Sequence, residues 1–171
     1  MIYARQPERE KPTMNQNMIN DTIRIALPSG FHQMDAEEKK RIYAMSAVIP
    51  EWCAHDSERQ MIFSASWKRM NSILAIMACS MDGAKGLEKR MRIALRNRNY
   101  RFGEYIKGEL GEKKAFGFTF RCQGKEGELL NRTMMVRDGG CIYYLTSQIR
   151  TDRETESKAT MDEIWSSLSW N

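Results

Sequence analysis

The chain has few of the residue types that mark chemistry. It holds only two histidines, His32 and His55, and its four cysteines (Cys53, Cys79, Cys122, Cys141) form no Cys-x-x-Cys pair. Closed zinc sites draw four ligands from clustered cysteines and histidines, so this supply argues against one, although Cys53 and His55 would share a strand face. The longest apolar run, Ile73 to Cys79, has seven residues, far short of the ~18 that a membrane span needs. The opening residues carry Arg5, Glu8, Arg9, Glu10 and Lys11 without an apolar stretch, so no signal peptide is visible and a cytoplasmic protein is expected. No internal repeat or low-complexity segment appears.

Catalytic signatures are equally scarce. His55-Asp56-Ser57 contains the residue types of a hydrolase triad, but triads assemble from distant segments, and adjacent residues do not meet in the required geometry. Gly83-Ala84-Lys85-Gly86 lacks the Gly-x-x-x-x-Gly-Lys-Ser/Thr spacing of a phosphate loop and reads as a helix start. No carboxylate pair stands out. No catalytic residue, cofactor site or metal ligand is therefore assigned, and a non-enzymatic protein is expected. The rival reading, a hydrolase or transferase with an unrecognised site, needs a deep pocket lined by convergent polar groups.

What the chain does have is core. Apolar residues make up 42% of its 171 residues, with six Phe, six Tyr and four Trp, enough for one packed domain. The scattered cysteines read as reduced, small core hydrophobes. Most of the thirteen methionines read as adaptable core filler, with Met134 and Met135 on opposite strand faces.

Residues 1–17 are polar, contain Pro7 and Pro12, and show no period. They read as a disordered tail before a single domain at 18–171. Thr22 to Leu27 alternates and ends at Pro28-Ser29-Gly30, a strand and a turn. Asp35 can cap a short helix through Met45, with Glu37 and Glu38 at its positive end. Glu51 to His55 reads as a short strand. Met61 to Trp67 alternates, and Ile73 to Met81 is read as its hairpin partner, with a helix there as the competitor.

Asp82 can cap a helix over about 84–98 whose Leu87, Met91, Ala94 and Leu95 make an apolar stripe. A meander follows. Arg101–Lys107 is its first strand and Glu109-Leu110-Gly111-Glu112 its first turn. In Ala115–Cys122, Phe116, Phe118, Phe120 and Cys122 alternate with Gly117, Thr119 and Arg121, a strand with one buried aromatic face and one face open to water. Glu128–Arg137, the tight turn Asp138-Gly139-Gly140 and Cys141–Ile149 complete it. Thr151 and Glu154 fit a capping box for a last helix with the stripe Met161, Ile164, Trp165 and Leu168. This order predicts an α/β fold: a central antiparallel sheet of about six or seven strands with helices packed on it. Phe116, Phe118, Phe120, Leu87, Met91, Ile164, Trp165 and Leu168 are the expected core.

Charge is the strongest local anomaly. The chain carries +5 overall, and Lys85, Lys89, Arg90, Arg92, Arg96, Arg98 and Arg101 face only Glu88 between them. A helix with so cationic a solvent face is either a solubilising surface or a contact for an acidic partner, whether protein, nucleic acid or an anionic lipid surface. These seven residues are the candidate partner-binding set. A protein partner is favoured over nucleic acid, because only Tyr100 and Phe102 interleave aromatics with the charge. On this reading, exchanging Arg92 and Arg96 for Glu abolishes binding and leaves stability nearly unchanged.

Ile23-Arg-Ile-Ala-Leu-Pro-Ser-Gly-Phe31 resembles the opening of PsbP-like and Ran-binding Mog-like domains: strand, Pro, any residue, Gly, aromatic. Gly111-Glu-Lys-Lys-Ala-Phe-Gly117 and the ending Ile164-Trp-Ser-Ser-Leu-Ser169, with Leu168 where the family has an aromatic, are similar too. The resemblance spans about residues 22–170. It implies an α/β/α sandwich used mostly for binding, in photosystem assembly, small-GTPase contacts and chaperoning of secreted effectors. The family shares no catalytic constellation, so no active site carries over.

Overall fold

The computed structural model describes residues 12–171. Its elements run β1 (Met14–Ile19), β2 (Ile23–Pro28), β3 (His32–Gln33), α1 (Ala36–Ile42), β4 (Trp52–Asp56), β5 (Met61–Arg69), α2 (Ser72–Ala78) and α3 (Met81–Ala94). After a 3-10 turn at Arg96–Arg98 come β6 (Arg101–Leu110), β7 (Lys113–Gln123), β8 (Glu128–Asp138) and β9 (Cys141–Arg150). A 3-10 turn at Thr151–Arg153, α4 (Glu154–Ser166) and β10 (Ser169–Trp170) close the chain.

Among the described residues, seven strands form one antiparallel sheet in the order β3-β4-β5-β9-β8-β7-β6, and β1-β2-β10 form a smaller one. The long meander is the expected one, because each turn returns the chain beside the strand it has just left. At Gly111-Glu112 both residues have positive φ, 54° and 72°, the twist that a two-residue hairpin requires. The expected turn from Glu109 shrinks accordingly, and β6 continues to Leu110.

Both faces of the central strands are covered, and the face of β7 expected to be open is buried at Gly117 and half-buried at Thr119 and Arg121. On one side Phe118, Phe120 and Cys122 pack under Leu87, Met91 and Leu95 of α3, and Met135 and Ile142 pack under Ala75 and Ala84. On the other side Ala115, Met134, Val136, Tyr143 and Leu145 meet Met161, Ile164 and Trp165 of α4 and the isoleucines of β1 and β2. The result is an α/β/α sandwich. Gly117 belongs to this second face and is buried; a Cβ there would stand 1.9 Å from the Thr133 carbonyl oxygen. Of the expected core, Phe118, Phe120, Ile164, Trp165 and Leu168 are buried, while Phe116, Leu87 and Met91 are half-buried.

The local corrections have physical causes. Ile73–Met81 is not a hairpin arm: β5 already bonds β4 and β9, so no edge remains for it. The Asn71 side chain instead accepts from the Leu74 N–H at 2.8 Å and starts α2. Ser80, not Asp82, caps α3 by accepting from the Gly83 N–H at 3.1 Å. The box expected at Thr151 and Glu154 does not form, because Thr151 donates to the Glu128 carbonyl and Glu154 pairs with Arg121. Asp35 does cap α1, which stops at Ile42 rather than Met45.

The expected tail ends earlier than residue 17, since Met14–Ile19 pairs with Ile23–Pro28 as β1. Its first eleven residues lie outside the described part. Sheet edges are guarded. β3 has two residues, and β6 is charged, mostly exposed and bulged between Phe102 and Tyr105.

Candidate functional site

Two regions bring functional side chains together: the outer surface of α2 and α3, and the β3–β4 edge beneath α1.

The stripe of Leu87, Met91 and Leu95 turns the cations of α3 outward, as its period requires. All seven candidate cations are exposed. Their surroundings differ, however. Arg92 donates from Nε and Nη2 to Glu88 Oε1 at 3.0 and 2.9 Å. Arg98 donates to the Gln123 carbonyl at 2.8 Å, and Arg101 pairs with Glu128. Lys85 Nζ stands 5.9 Å above the Tyr105 ring. Lys89, Arg90 and Arg96 make no ion pair among the described residues.

Glu88 is the unexpected member of this helix. It is 3% exposed and also accepts from the Tyr100 hydroxyl at 2.8 Å. Burial, then the hydrogen bond to Glu88, raises the Tyr100 phenol above the usual tyrosine range. Burial and then the Glu88 charge raise Tyr105 in the same direction. Three of the seven expected cations, Arg92, Arg98 and Arg101, are thus held by neighbouring groups, and Arg92 neutralises a buried carboxylate.

α2 carries a feature that sequence reading missed. Only Ala75 is buried, and Ile73, Leu74, Ile76 and Met77 face outward at 51–73% exposure. The run is legible as apolar, but its sequence suits a hairpin strand as well as a helix. α2 and α3 abut where a Cβ on Gly83 would meet the Ala78 carbonyl at 1.7 Å. The apolar patch thus adjoins the helix of cations. Single exposed hydrophobics need no explanation, whereas four on one short helix make an apolar patch.

At the sheet edge, His32 and His55 are register partners on β3 and β4, so their side chains leave the same face. Their Nε2 atoms lie 2.7 Å apart. Glu38, in the first turn of α1, brings Oε1 to 3.2 Å from His32 Nε2 and 3.6 Å from His55 Nε2. Its other oxygen accepts from the Asp35 N–H at 3.0 Å, and Asp35 accepts in return from the Glu38 N–H. That capping box fixes the Glu38 rotamer. The backbone bond from Asp35, then the hydrogen bond with His32, lowers the Glu38 carboxyl below its ordinary range. Burial, then the charge of His32, lowers His55. Both histidines were visible in the sequence; that Glu38 completes them was not.

In His55-Asp56-Ser57, Asp56 turns to the other face of the strand and pairs with Arg59 at 2.8 Å. A cleft of about 320 Å³ between α4 and strands β6 to β9 is lined by Glu104, Arg132, Lys158 and Asp162 among others. There Arg132 stacks on the Trp165 ring at 4.4 Å, which in turn donates to Ser147 at 2.9 Å, a packing arrangement.

No protein-family model matches the sequence, and no curated protein matches it either. Solved structures do share the fold. PsbP (CyanoP) of Synechocystis sp. PCC 6803 is 13% identical, covers 99% of both chains, and superposes with a TM-score of 0.67. LpqN of Mycobacterium tuberculosis, described as involved in cell envelope biogenesis, is 12% identical over 96% of this chain and 87% of its own, with a TM-score of 0.52. The Saccharomyces cerevisiae Ran-binding protein Mog1p is 10% identical over 90% of this chain and 86% of its own, with a TM-score of 0.51. The fold is that of the PsbP-like and Mog-like sandwiches, as the resemblance implied.

Proposed function

We propose that this chain is a non-enzymatic protein-binding module, and that its partner presents an acidic, amphipathic segment to α2 and α3. The observation that carries the reading is the apolar patch of Ile73, Ile76 and Met77 on α2, next to α3 with Lys89 and Arg90 and the 3-10 turn with Arg96. Apolar contact supplies most of the affinity in such a pairing, and the cations set orientation and speed encounter. The sharing of its fold with a Ran-binding protein supports the reading. Four unpaired thiols, three of them buried, support a cytoplasmic place of action.

The test is photo-crosslinking from position 77 of the full chain in its own cells, followed by capture with two variants. One variant is Ile73→Asp/Ile76→Asp and the other is Lys89→Glu/Arg90→Glu. Both should lose the same crosslinked protein while circular dichroism and Tm stay as in the wild type. Capture by the wild type should also weaken as salt rises above physiological strength, because the screening length there is about 8 Å. Retention by both variants would overturn the reading. Capture that nuclease treatment abolishes would move it to nucleic acid.

A further inference from the structure

We propose that His32, Glu38 and His55 form a binding site for one divalent transition-metal ion of the zinc class. The site is independent of the α2–α3 surface. Three donor atoms from three elements converge on one point: imidazole nitrogens from β3 and β4, and a carboxylate oxygen from α1. Their separations are 2.7, 3.2 and 3.6 Å. Donor atoms each about 2.1 Å from a common ion stand roughly 3.0–3.4 Å apart at octahedral or tetrahedral angles. The observed triangle brackets that range, so an ion fits just above its plane with small rotamer adjustments.

Proton bookkeeping points the same way. Two Nε2 atoms and Oε1 each direct a lone pair or a hydrogen into the same small space. With both imidazoles carrying hydrogen on Nε2, two hydrogens collide across 2.7 Å. With one such hydrogen, it serves two acceptors and leaves a lone pair facing another. A single divalent ion satisfies all three lone pairs at once.

The donor set selects the ion. Two imidazoles and one carboxylate are borderline-soft ligands that suit zinc and its neighbours and suit calcium or magnesium poorly. The supports are built in. The register of β3 against β4 places the histidines directly opposite. The capping box uses Glu38 Oε2 and leaves Oε1 for the ion, so helix start and ligand are oriented by one arrangement. The His32 side chain is 51% exposed and that of His55 12%. Three protein donors on one side leave at least one coordination position toward solvent, for water or a donor from a bound molecule. The ion would tie α1 and β3 to β4 at the sheet edge.

The experiment uses untagged full-length protein, stripped with chelator and titrated with Zn²⁺ by calorimetry. Co²⁺ absorption serves as a second readout. One ion per chain should bind saturably, Tm should rise with Zn²⁺, and the cobalt spectrum should lack thiolate charge-transfer bands. His32→Gln, Glu38→Gln and His55→Gln should each weaken binding at least about tenfold. Glutamine at position 38 still serves a capping box, so loss there reports the ligand and not the helix start. His32 is exposed enough that its variant tests the site even if His55→Gln folds poorly. Absence of saturable binding, thiolate bands, or wild-type affinity in the His32 or Glu38 variant would overturn the proposal.

Discussion

Arg92 lies one helical turn beyond Glu88 on α3 and donates to a single oxygen of that buried carboxylate through two nitrogens, at 3.0 and 2.9 Å. A carboxylate withdrawn from water must keep its donors, and removing one partner leaves the charge uncompensated. The cationic face therefore has two populations. Arg92→Glu should lower Tm by several degrees, because it sets a second carboxylate against Glu88. Arg96→Glu, on the open arc, should leave Tm unchanged within error. Thermal melts of the two single variants at equal ionic strength check this. Equal behaviour of the two would place Glu88 in solvent.

Alkaline stability follows from the same cluster. Burial and the hydrogen bond to Glu88 raise Tyr100 above the ordinary tyrosine value of 10.0. A group whose folded value exceeds its unfolded one contributes stability that is fully present below the unfolded value and is lost as pH rises through the folded one. Urea midpoints should therefore hold to about pH 10 and fall beyond it, with a shallower fall in Tyr100→Phe. Tyrosinate absorbance of the folded protein should lag behind that of the urea-unfolded chain. Coincident titration curves would contradict the burial of Tyr100.

Phe118 has no exposed surface and packs with Phe120 and Cys122 beneath α3. Truncation to Ala removes that contact and leaves a cavity that the sheet cannot close, at a cost of roughly 3–5 kcal/mol. Urea denaturation should show a lower midpoint at unchanged slope. A loss below about 1 kcal/mol would put this face of β7 in water.

Gly117 tests the opposite face of the same strand. A methyl group there meets the Thr133 carbonyl at 1.9 Å and the Met134 sulfur at 2.7 Å. Neither a strand backbone nor a packed core yields readily, so Gly117→Ala should cost about 1–3 kcal/mol or more. Were the Gly117 face solvated, the same change would be neutral or mildly stabilising, because Ala loses less backbone entropy on folding. The sign of the stability change decides between the two.

Periodicity and turn chemistry are local properties, and the elements they govern were legible. The alternation of Phe116, Phe118 and Phe120, the hairpin at Gly139-Gly140, the Asp35 cap, and the Ile164, Trp165 and Leu168 stripe all emerge as read. The sandwich follows from them, since an antiparallel meander and two amphipathic helices have few ways to bury their apolar faces.

What lay beyond sequence depends on what each element finds beside it. Ile73–Cys79 suits strand or helix alone, and only the prior claims of β4 and β9 on β5 make it a helix with its hydrophobics outward. Glu88 looks like one more surface charge until Tyr100 and Arg92 converge on it from after and along the helix. His32 and His55 are 23 residues apart, and Glu38 stands on a third element. Their convergence is set by strand register and helix start, which no local pattern records. Sequence alone determined the meander and the two amphipathic helices that cover it; tertiary structure decided the state of Ile73–Cys79 and which side chains meet, because strand pairing, desolvation and lone-pair geometry act between residues distant in the chain.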